Sequence, residues 1–455
     1  FITPSCQDYG FEELPSSVIK EKRGTWTISI SAQADILFVI DNSGSMFGEQ
    51  QQLGESISAF TQVLDSSFGD NYQIAIITTG MLSAGCPRCD TMAIPAGCIN
   101  DSGEDGRFQN RIGQNVGTVD NPVYEFTTDP ACDLIIEPQT KDCFYDTIEQ
   151  KGYAMVGIEG CGYERGLAAI KSALGDLAGN HNGGFLRPNA TLAVVVISDE
   201  DDCGEVGDVN EGLVGIRGDA CYYASKGVDP EGLSNDPEGK PYRLTLVEEY
   251  YSFLLGLKDG KEGMVKFAAI VGVKDVDDLS TTTIEYTWDG SRYTIDDACM
   301  VANCPGNKFC GAEPGTRYIK LAQKFVIGMN GFVATICQND FSETMEKLGT
   351  FVACPKTFLL SEEILDPDLA NILINDEGVP RFSCDKPGEL EECSGLSDTS
   401  CSQGSCVETW SYTPPDTPPD PAARGGTIAF ATHYDPCVLF GEGDQVRIEL
   451  IYVTK

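Results

Sequence analysis

Carboxylate and hydroxyl side chains are grouped at two points of the sequence where they could bind a metal ion. The first group is Asp41-Asn-Ser43-Gly-Ser45, and the second point is Asp199, far along the chain. Hard oxygen ligands of this kind suit Mg²⁺, Mn²⁺ or Ca²⁺. A cation held by only a few side chains keeps water, or an open position for another ligand. The residue types therefore predict a divalent cation site.

The residues that precede these groups predict buried strands of a parallel sheet. Residues 36–40 and 192–197 are continuously apolar, which is typical of strands covered on both faces. Ligand sites in open α/β sheets lie beyond the carboxyl ends of the strands, so we expect Asp41 and Asp199 to meet in one crevice. The alternative interpretation is a strand-to-helix turn in which Ser43 or Ser45 caps the following helix.

Strand and helix patterns alternate along most of the chain, which predicts an α/β fold. Further strands are predicted at 72–77, 265–271 and 331–336, and helices at 48–66, 163–177, 242–257, 315–328 and 340–352. The predicted fold class is a doubly wound, mainly parallel sheet with cysteine-rich insertions and a smaller C-terminal β domain.

The predicted domain boundaries follow changes in composition. Residues 1–34 are interpreted as an extended leader with an edge strand at 25–31, residues 35–353 as the α/β domain, and residues 354–455 as an acidic, cysteine-containing β domain. Segments at about 80–160, 200–240 and 273–314 are interpreted as insertions that disulfides hold together. In the second insertion we expect Cys203 to pair with Cys221.

The composition excludes several function classes. The chain of 455 residues carries 70 acidic and 31 basic residues, a formal net charge of −39, which would repel nucleic acid and anionic membranes. No apolar run is long enough to predict a membrane span. The two histidines do not lie beside a nucleophile motif, so we expect a protein that is not an enzyme.

The 19 cysteines indicate disulfides formed in an oxidising compartment. Their spacing does not match a zinc ribbon or a ferredoxin. An odd number leaves at least one cysteine without a partner in the chain. We therefore expect an extracellular or cell-surface protein.

The Asp-x-Ser-x-Ser motif, the strand before it, the amphipathic helix after it and the later Asp199 resemble the metal-ion-dependent adhesion site of von Willebrand factor A domains, the integrin inserted domain among them. The resemblance covers roughly residues 30–353. It implies a Mg²⁺ ion that Ser43 and Ser45 ligate directly, while Asp41 and Asp199 act mostly through water. It also implies an open coordination position that takes a partner's Glu or Asp.

The sequence departs from the family pattern in the middle loop, where the family usually supplies a threonine. The corresponding stretch contains Glu164 instead. Two interpretations stay open: Glu164 is a direct oxygen ligand, or it is an acid in the first turn of a helix, where acids are favoured. The acidic residues 200–202 would form either a second cation site or a solvated loop, and we expect the loop.

Three segments, at residues 6–13, 41–46 and 197–203, resemble cysteine-rich surface lipoproteins of myxobacteria, a family that includes adhesins of gliding motility. In that family the leader cysteine carries lipid, and the protein lies on the exterior of the bacterial outer membrane. Five residues precede Cys6 here, which does not fit a mature lipoprotein. Two alternatives stay open for Cys6: a lipid anchor, or a residue that is free or disulfide-bonded.

These observations predict an extracellular, metal-dependent adhesion or protein-binding protein. A carboxylate from a protein ligand, or from a neighbouring copy of the chain, would complete a Mg²⁺ or Ca²⁺ site. The alternative is a structural subunit of a cell-surface filament or envelope assembly, in which the metal site would be structural or vestigial.

Overall fold

The computed structural model of the chain contains two compact units. The larger comprises Ile28–Phe358 and Thr432–Val446, and the smaller comprises Phe1–Thr27, Leu359–Ala431 and Arg447–Lys455. The structure describes residues 20–26, 33–81, 105–109, 111–115, 124–128, 133–138, 164–206, 217–228, 243–291, 293–301, 311–325, 330–353, 357–359, 370–374, 377–384, 405–414, 427–430 and 448–454, with a few single residues. None of the described helices is both long and apolar enough to cross a lipid bilayer.

A five-stranded parallel sheet forms the centre of the larger unit. Its strands are β1 (Ala34–Ile40), β2 (Tyr72–Thr78), β3 (Thr191–Ile197), β4 (Val265–Val271) and β5 (Gly331–Thr335). The spatial order is β5-β4-β3-β1-β2. Every residue of β1 to β4 is buried, which explains why apolar residues predominate in these strands. The prediction of an α/β fold is confirmed at this level.

Among the described residues of the larger unit, six helices cover both faces of the sheet or lie in its connections. They are α1 (Phe47–Phe68), α2 (Gly166–Lys171, continued by a π-helical turn at Ser172–Asp176), α3 (Arg217–Lys226), α4 (Val247–Gly256), α5 (Thr316–Lys324) and α6 (Ser342–Ala353). Successive side chains of a strand point to opposite faces. Phe38 therefore packs with α1 and α6 on one face. Leu37 and Val39 pack with α2, α4 and α5 on the other.

The insertions contain regular structure of their own. In the first, strands Arg111–Asn115 and Tyr124–Thr128 form an antiparallel pair. The second contains α3, which the sequence pattern did not predict, and the expected disulfide between Cys203 and Cys221 is confirmed. In the third, Tyr286–Trp288 pairs with Tyr293–Ile295, Cys299–Met300 pairs with Gly311–Ala312, and Cys299 is bonded to Cys337.

The smaller unit is built from short antiparallel strands. One sheet contains Lys20–Trp26, Ile448–Thr454, Asn371–Ile374 and Glu377–Val379 in that order. Phe382–Cys384 pairs with Cys406–Glu408, and Trp410–Thr413 pairs with Thr427–Phe430. Two disulfides, Cys384–Cys401 and Cys393–Cys406, lie beside these strands.

The sequence interpretation of residues 1–34 as an extended leader can be followed only in part. The described strand Lys20–Trp26 pairs along its whole length with Ile448–Thr454, and most of the edge strand predicted at 25–31 lies outside the described residues. Local sequence does not encode a partner strand at the other end of the chain, so only the folded structure shows this pairing. Cys6 lies outside the described residues, as do the other residues before the strand.

Candidate metal centre

Asp41 is the first residue after β1, and hydrogen bonds hold both its backbone and its carboxylate. Its backbone N–H donates to the carbonyl of Ile197 at 2.9 Å, and its own carbonyl accepts from the Gln50 side chain at 2.7 Å. The backbone N–H of Ser43 donates to Asp41 Oδ1 at 2.8 Å, and the Ser198 hydroxyl donates to Asp41 Oδ2 at 2.6 Å. The carboxylate is therefore buried and fixed in orientation.

Two serine hydroxyls lie directly beside Asp41. The Oγ atoms of Ser43 and Ser45 are 2.8 Å apart. Ser43 is buried, Ser45 is half-buried and Gly44 between them is exposed. The loop after β1 therefore places two hydroxyl oxygens between the buried carboxylate and the surface. Met46 is the residue at the start of α1, and its side chain makes no capping hydrogen bond there, while Ser43 and Ser45 lie in the turn before it.

Asp199 and Glu164 approach the same point from two other elements. Asp199 follows β3, which neighbours β1, so the two strand ends lie at the same edge of the sheet. Glu164 lies just before α2, where its carbonyl accepts from the Cys203 N–H at 2.7 Å. The Thr79 hydroxyl, at the end of β2, donates to Glu164 Oε2. Three neighbouring strand ends thus contribute to one cluster.

Two carboxylate oxygens in this cluster are buried without a hydrogen-bond partner in the described structure. They are Asp199 Oδ1 and Glu164 Oε1, and Glu49 Oε2 in the first turn of α1 is in the same situation. A charged acceptor that is buried without a hydrogen bond raises the free energy of the folded state, so such atoms normally bind water, a proton or a cation.

Burial and mutual repulsion make the ionised forms of these acids unfavourable. Burial is the largest cause that raises the pKa of Glu164 well above its ordinary value, and the charges of Asp41, Glu200 and Asp199 add to it. The pKa of Asp199 is raised well above its ordinary value by burial, then by the charges of Asp41 and Glu200, while a hydrogen bond from Ser45 opposes the rise. Burial raises the pKa of Asp41 as well.

Arg317, a buried basic residue at the start of α5, pairs with Asp202. Its Nε donates to Asp202 Oδ2 at 3.0 Å, and its Nη2 donates to the carbonyl of Thr245 at 2.6 Å. The leading influences on the pKa values of Glu164 and Asp199 are burial and other carboxylates. The cluster thus concentrates negative charge, which a divalent cation would neutralise.

The donor set fits a hard cation ligated by hydroxyls and water as well as by carboxylates. In the part of the chain that the structure describes, only Cys384, Cys393 and Cys401 bring three acidic, cysteine or histidine ligand atoms within 4.8 Å of one another. Those sulfurs belong to disulfides. A cation at the strand ends would therefore need Ser43 and Ser45 as ligands, because the carboxylates alone do not converge closely enough.

Sequence reasoning missed three residues of this cluster. Thr79 and Ser198 each follow a buried strand, so the argument that located Asp41 and Asp199 would have found them too. Glu49 gave no such signal, because a first-turn acid is common in helices. Thr79 brings a hydroxyl from the end of β2 into contact with Glu164.

The expectation of a solvated loop at residues 200–202 is wrong for Asp201 and Asp202. Asp201 accepts hydrogen bonds from the Thr316 hydroxyl at 2.6 Å and the Arg317 N–H at 2.9 Å, which satisfies the start of α5. Asp202 is buried and accepts from the Leu167 N–H at 2.9 Å in the first turn of α2. These acids hold two helix starts against the loop that carries Asp199.

Comparisons with known proteins give only distant structural likenesses. No protein-family model matches the chain, and no curated protein matches it. Among solved structures, the pilus adhesin SpaC of Lactobacillus rhamnosus GG is 9% identical, with a TM-score of 0.31 over 93% of this chain and 39% of that chain. The pilus adhesin RrgA of Streptococcus pneumoniae is 10% identical, with a TM-score of 0.25 over 95% of this chain and 57% of that chain.

The human COPII-coat protein Sec24c is 9% identical, with a TM-score of 0.27 over 94% of this chain and 44% of that chain. The chain therefore spans 39%, 57% and 44% of the lengths of these three proteins. Similarities at these TM-scores assign neither a fold family nor a function to this chain.

Proposed function

We propose that the larger unit is a von Willebrand factor A-like domain that binds a divalent cation and, through it, a carboxylate of a partner. The observation that carries this proposal is the buried cluster at the strand ends, in which Asp199 Oδ1 and Glu164 Oε1 have no hydrogen-bond partner among the described residues. A Mg²⁺, Mn²⁺ or Ca²⁺ ion would satisfy those oxygens and neutralise the charge of the cluster.

The ligands have different roles in this proposal. Ser43 and Ser45 contribute hydroxyl oxygens directly, because their adjacent Oγ atoms lie toward the surface. Asp41 acts through water, because both of its carboxylate oxygens already accept protein hydrogen bonds. Asp199 and Glu164 each keep one oxygen for the ion or for its water. We assign the protein a binding function rather than an enzymatic one.

The open position of the cation would take an Asp or Glu of a protein ligand or of another copy of this chain. Two strongly acidic chains repel each other, so their association would depend on the bridging ion. The described disulfides support an oxidising location, and we place the protein outside the cell or on its surface. The exterior of a bacterial outer membrane is the location that the lipoprotein resemblance favours.

Calorimetric titration of Mg²⁺, Mn²⁺ and Ca²⁺ into chelator-stripped protein tests the proposal. We expect saturable binding by the wild type and its loss in Asp41→Ala. Asp340→Asn removes an exposed acid that caps the start of α6, and it serves as the matched control with unchanged binding. Absence of saturable binding, or binding that survives Asp41→Ala, would overturn the proposal.

A second candidate function is a structural subunit of a surface filament or envelope assembly. Strand Lys20–Trp26 favours it, because this strand lies at the edge of its sheet among the described strands. An edge strand offers backbone groups to a strand of another chain. Concentration-dependent assembly that persists in chelator, measured by light scattering, would support this function over the cation-dependent one.

A further inference from the structure

Aromatic side chains of one hairpin and one helix form a ladder on the larger unit. Hairpin strands Tyr286–Trp288 and Tyr293–Ile295 pair so that Trp288 lies opposite Tyr293. Tyr222 of α3 stacks on Tyr293 with ring centroids 3.7 Å apart and an interplanar angle of 15°. Trp288 contacts Tyr293 in an edge arrangement with centroids 5.1 Å apart. The rings of the hairpin are thereby fixed against the helix.

Trp288 ends this ladder and remains in contact with solvent. Its side chain is 53% exposed, whereas Trp410 is only 1% exposed. At the other end of the ladder, Lys226 Nζ lies 5.8 Å from the centroid of the Tyr222 ring. The ladder thus already holds one cation within the chain. An exposed indole held in place by ring stacking loses little conformational entropy on binding, which is typical of an interface anchor.

Acidic residues predominate in the segment that carries Trp288, and this charge favours some partners over others. Glu285 directly precedes the strand in the sequence and Asp289 directly follows it, and both are exposed. Within residues 273–300 there are seven acidic side chains (Asp275, Asp277, Asp278, Glu285, Asp289, Asp296 and Asp297) and two basic ones (Lys274 and Arg292). This charge repels anionic lipid and acidic protein. A guanidinium fits both features, because it stacks on an indole face and pairs with carboxylates.

We propose that the Trp288 hairpin is a docking site for an arginine-bearing segment of a partner protein. The guanidinium stacks on the exposed face of Trp288, and Glu285 and Asp289 supply the opposing charge. This site uses neither the cation nor the carboxylates at the strand ends, so it works independently of the proposed metal centre. A partner could then make two contacts of opposite charge: a carboxylate bound through the cation at the strand ends, and a guanidinium bound at Trp288.

The test uses the full chain and a short Gly/Ser peptide that carries several arginines, with a matched peptide in which glutamates replace them. Binding is followed by calorimetry and by tryptophan fluorescence, both in chelator and with Mg²⁺. We expect saturable binding of the arginine peptide in both conditions, weaker at higher ionic strength. Trp288→Ala should weaken this binding about tenfold, as loss of an anchor does, and Trp288→Phe by a few-fold.

Met300→Ala is the control, because Met300 is 68% exposed and lies on a different strand pair of the same insertion. It should bind the arginine peptide like the wild type, and thermal melting should show that all variants are folded. Equal binding by the wild type and folded Trp288→Ala would overturn the proposal, as would no saturable binding. Trp288-dependent binding of phosphatidylcholine vesicles without binding of the arginine peptide would also overturn it, since the occupant would then be a quaternary ammonium lipid.

Discussion

Replacement of Glu164 by glutamine is expected to stabilise the protein without cation and to weaken its response to cation. Glutamine has the same shape, and its amide oxygen can still accept the hydrogen bond from the Thr79 hydroxyl. Its NH₂ group can donate to the carboxylates of Asp41 and Asp199, whose charges now raise the pKa of Glu164. One substitution thereby converts repulsion into attraction inside the cluster.

The gain in stability without cation follows from the burial of Glu164, and the stabilisation by cation follows from binding to the folded state alone. Glu164 is 1% exposed and one of its oxygens is unsatisfied, a situation that costs about 1–3 kcal/mol. Glutamine should therefore raise the free energy of unfolding in chelator by an amount of this order. For the wild type, cation at about 100 times its Kd should add about 2.7 kcal/mol. In a unit of this size that corresponds to a rise in Tm of roughly 5 °C.

The assay is thermal unfolding of wild type and Glu164→Gln in chelator and in excess Mg²⁺ or Ca²⁺. Glu343→Gln is the matched control, because Glu343 is exposed on α6 and pairs only with the nearby Lys347 among the ion pairs described. That control should melt like the wild type in both conditions. A Glu164→Gln protein that is less stable in chelator, yet keeps the full cation-dependent rise in Tm, would refute the reasoning about the cluster.

Three further predictions concern the elements around the site. Cys203→Ser removes the bridge to Cys221, with a sequence separation of 18 residues, and should lower the free energy of unfolding by about 3 kcal/mol, measured by urea denaturation with the disulfide-bonded wild type as reference. Burial raises the pKa of Asp201 to about 6 from its ordinary value of 3.8. The folded state therefore binds this proton more tightly than the unfolded state, so this group's contribution to stability falls by about 3 kcal/mol as pH rises from about 4 to 6. Asp201→Asn should flatten the stability profile over that range, and an unchanged profile would contradict the assignment. Asp35→Ala leaves the buried Lys258, whose Nζ lies 3.8 Å from Asp35, without its carboxylate and should cost about 3–5 kcal/mol, while cation affinity in the titration stays unchanged because Asp35 lies at the opposite end of β1.

Much of the larger unit was predictable because the burial of its strands can be read from the residue types of each strand. A strand covered on both faces is apolar at most positions, and the runs 36–40 in β1, 192–197 in β3 and 267–271 in β4 have that pattern. Parallel strands end at one edge, so the placement of Asp41 and Asp199 at strand ends was enough to predict that they meet. Helices α1 and α6 were equally predictable from the sequence, because each has an apolar stripe that must face the sheet.

The insertions were not predictable in the same way. Helix α3 lies in a segment without an apolar stripe, and the bridge from Cys221 ties it to Cys203 in the loop that carries Asp199. Asp201 and Asp202 have the sequence of a solvated acidic loop, yet they satisfy the N–H groups of two helix starts. Such contacts join residues far apart in the chain, so local sequence patterns cannot predict them.

The sequence by itself determined the alternation of buried strands and amphipathic helices and the position of the Asp-x-Ser-x-Ser motif at a strand end. The physical reason is that burial on two faces and a polar break at a strand end are local properties. Only the tertiary structure decided that Thr79 contacts Glu164, that Asp199 Oδ1 has no hydrogen-bond partner in the part of the chain that the structure describes, and that Lys20–Trp26 pairs with Ile448–Thr454. Those contacts depend on which elements, distant in the sequence, pack against each other. The burial and the electrostatic surroundings of each group are therefore set only when the chain is folded.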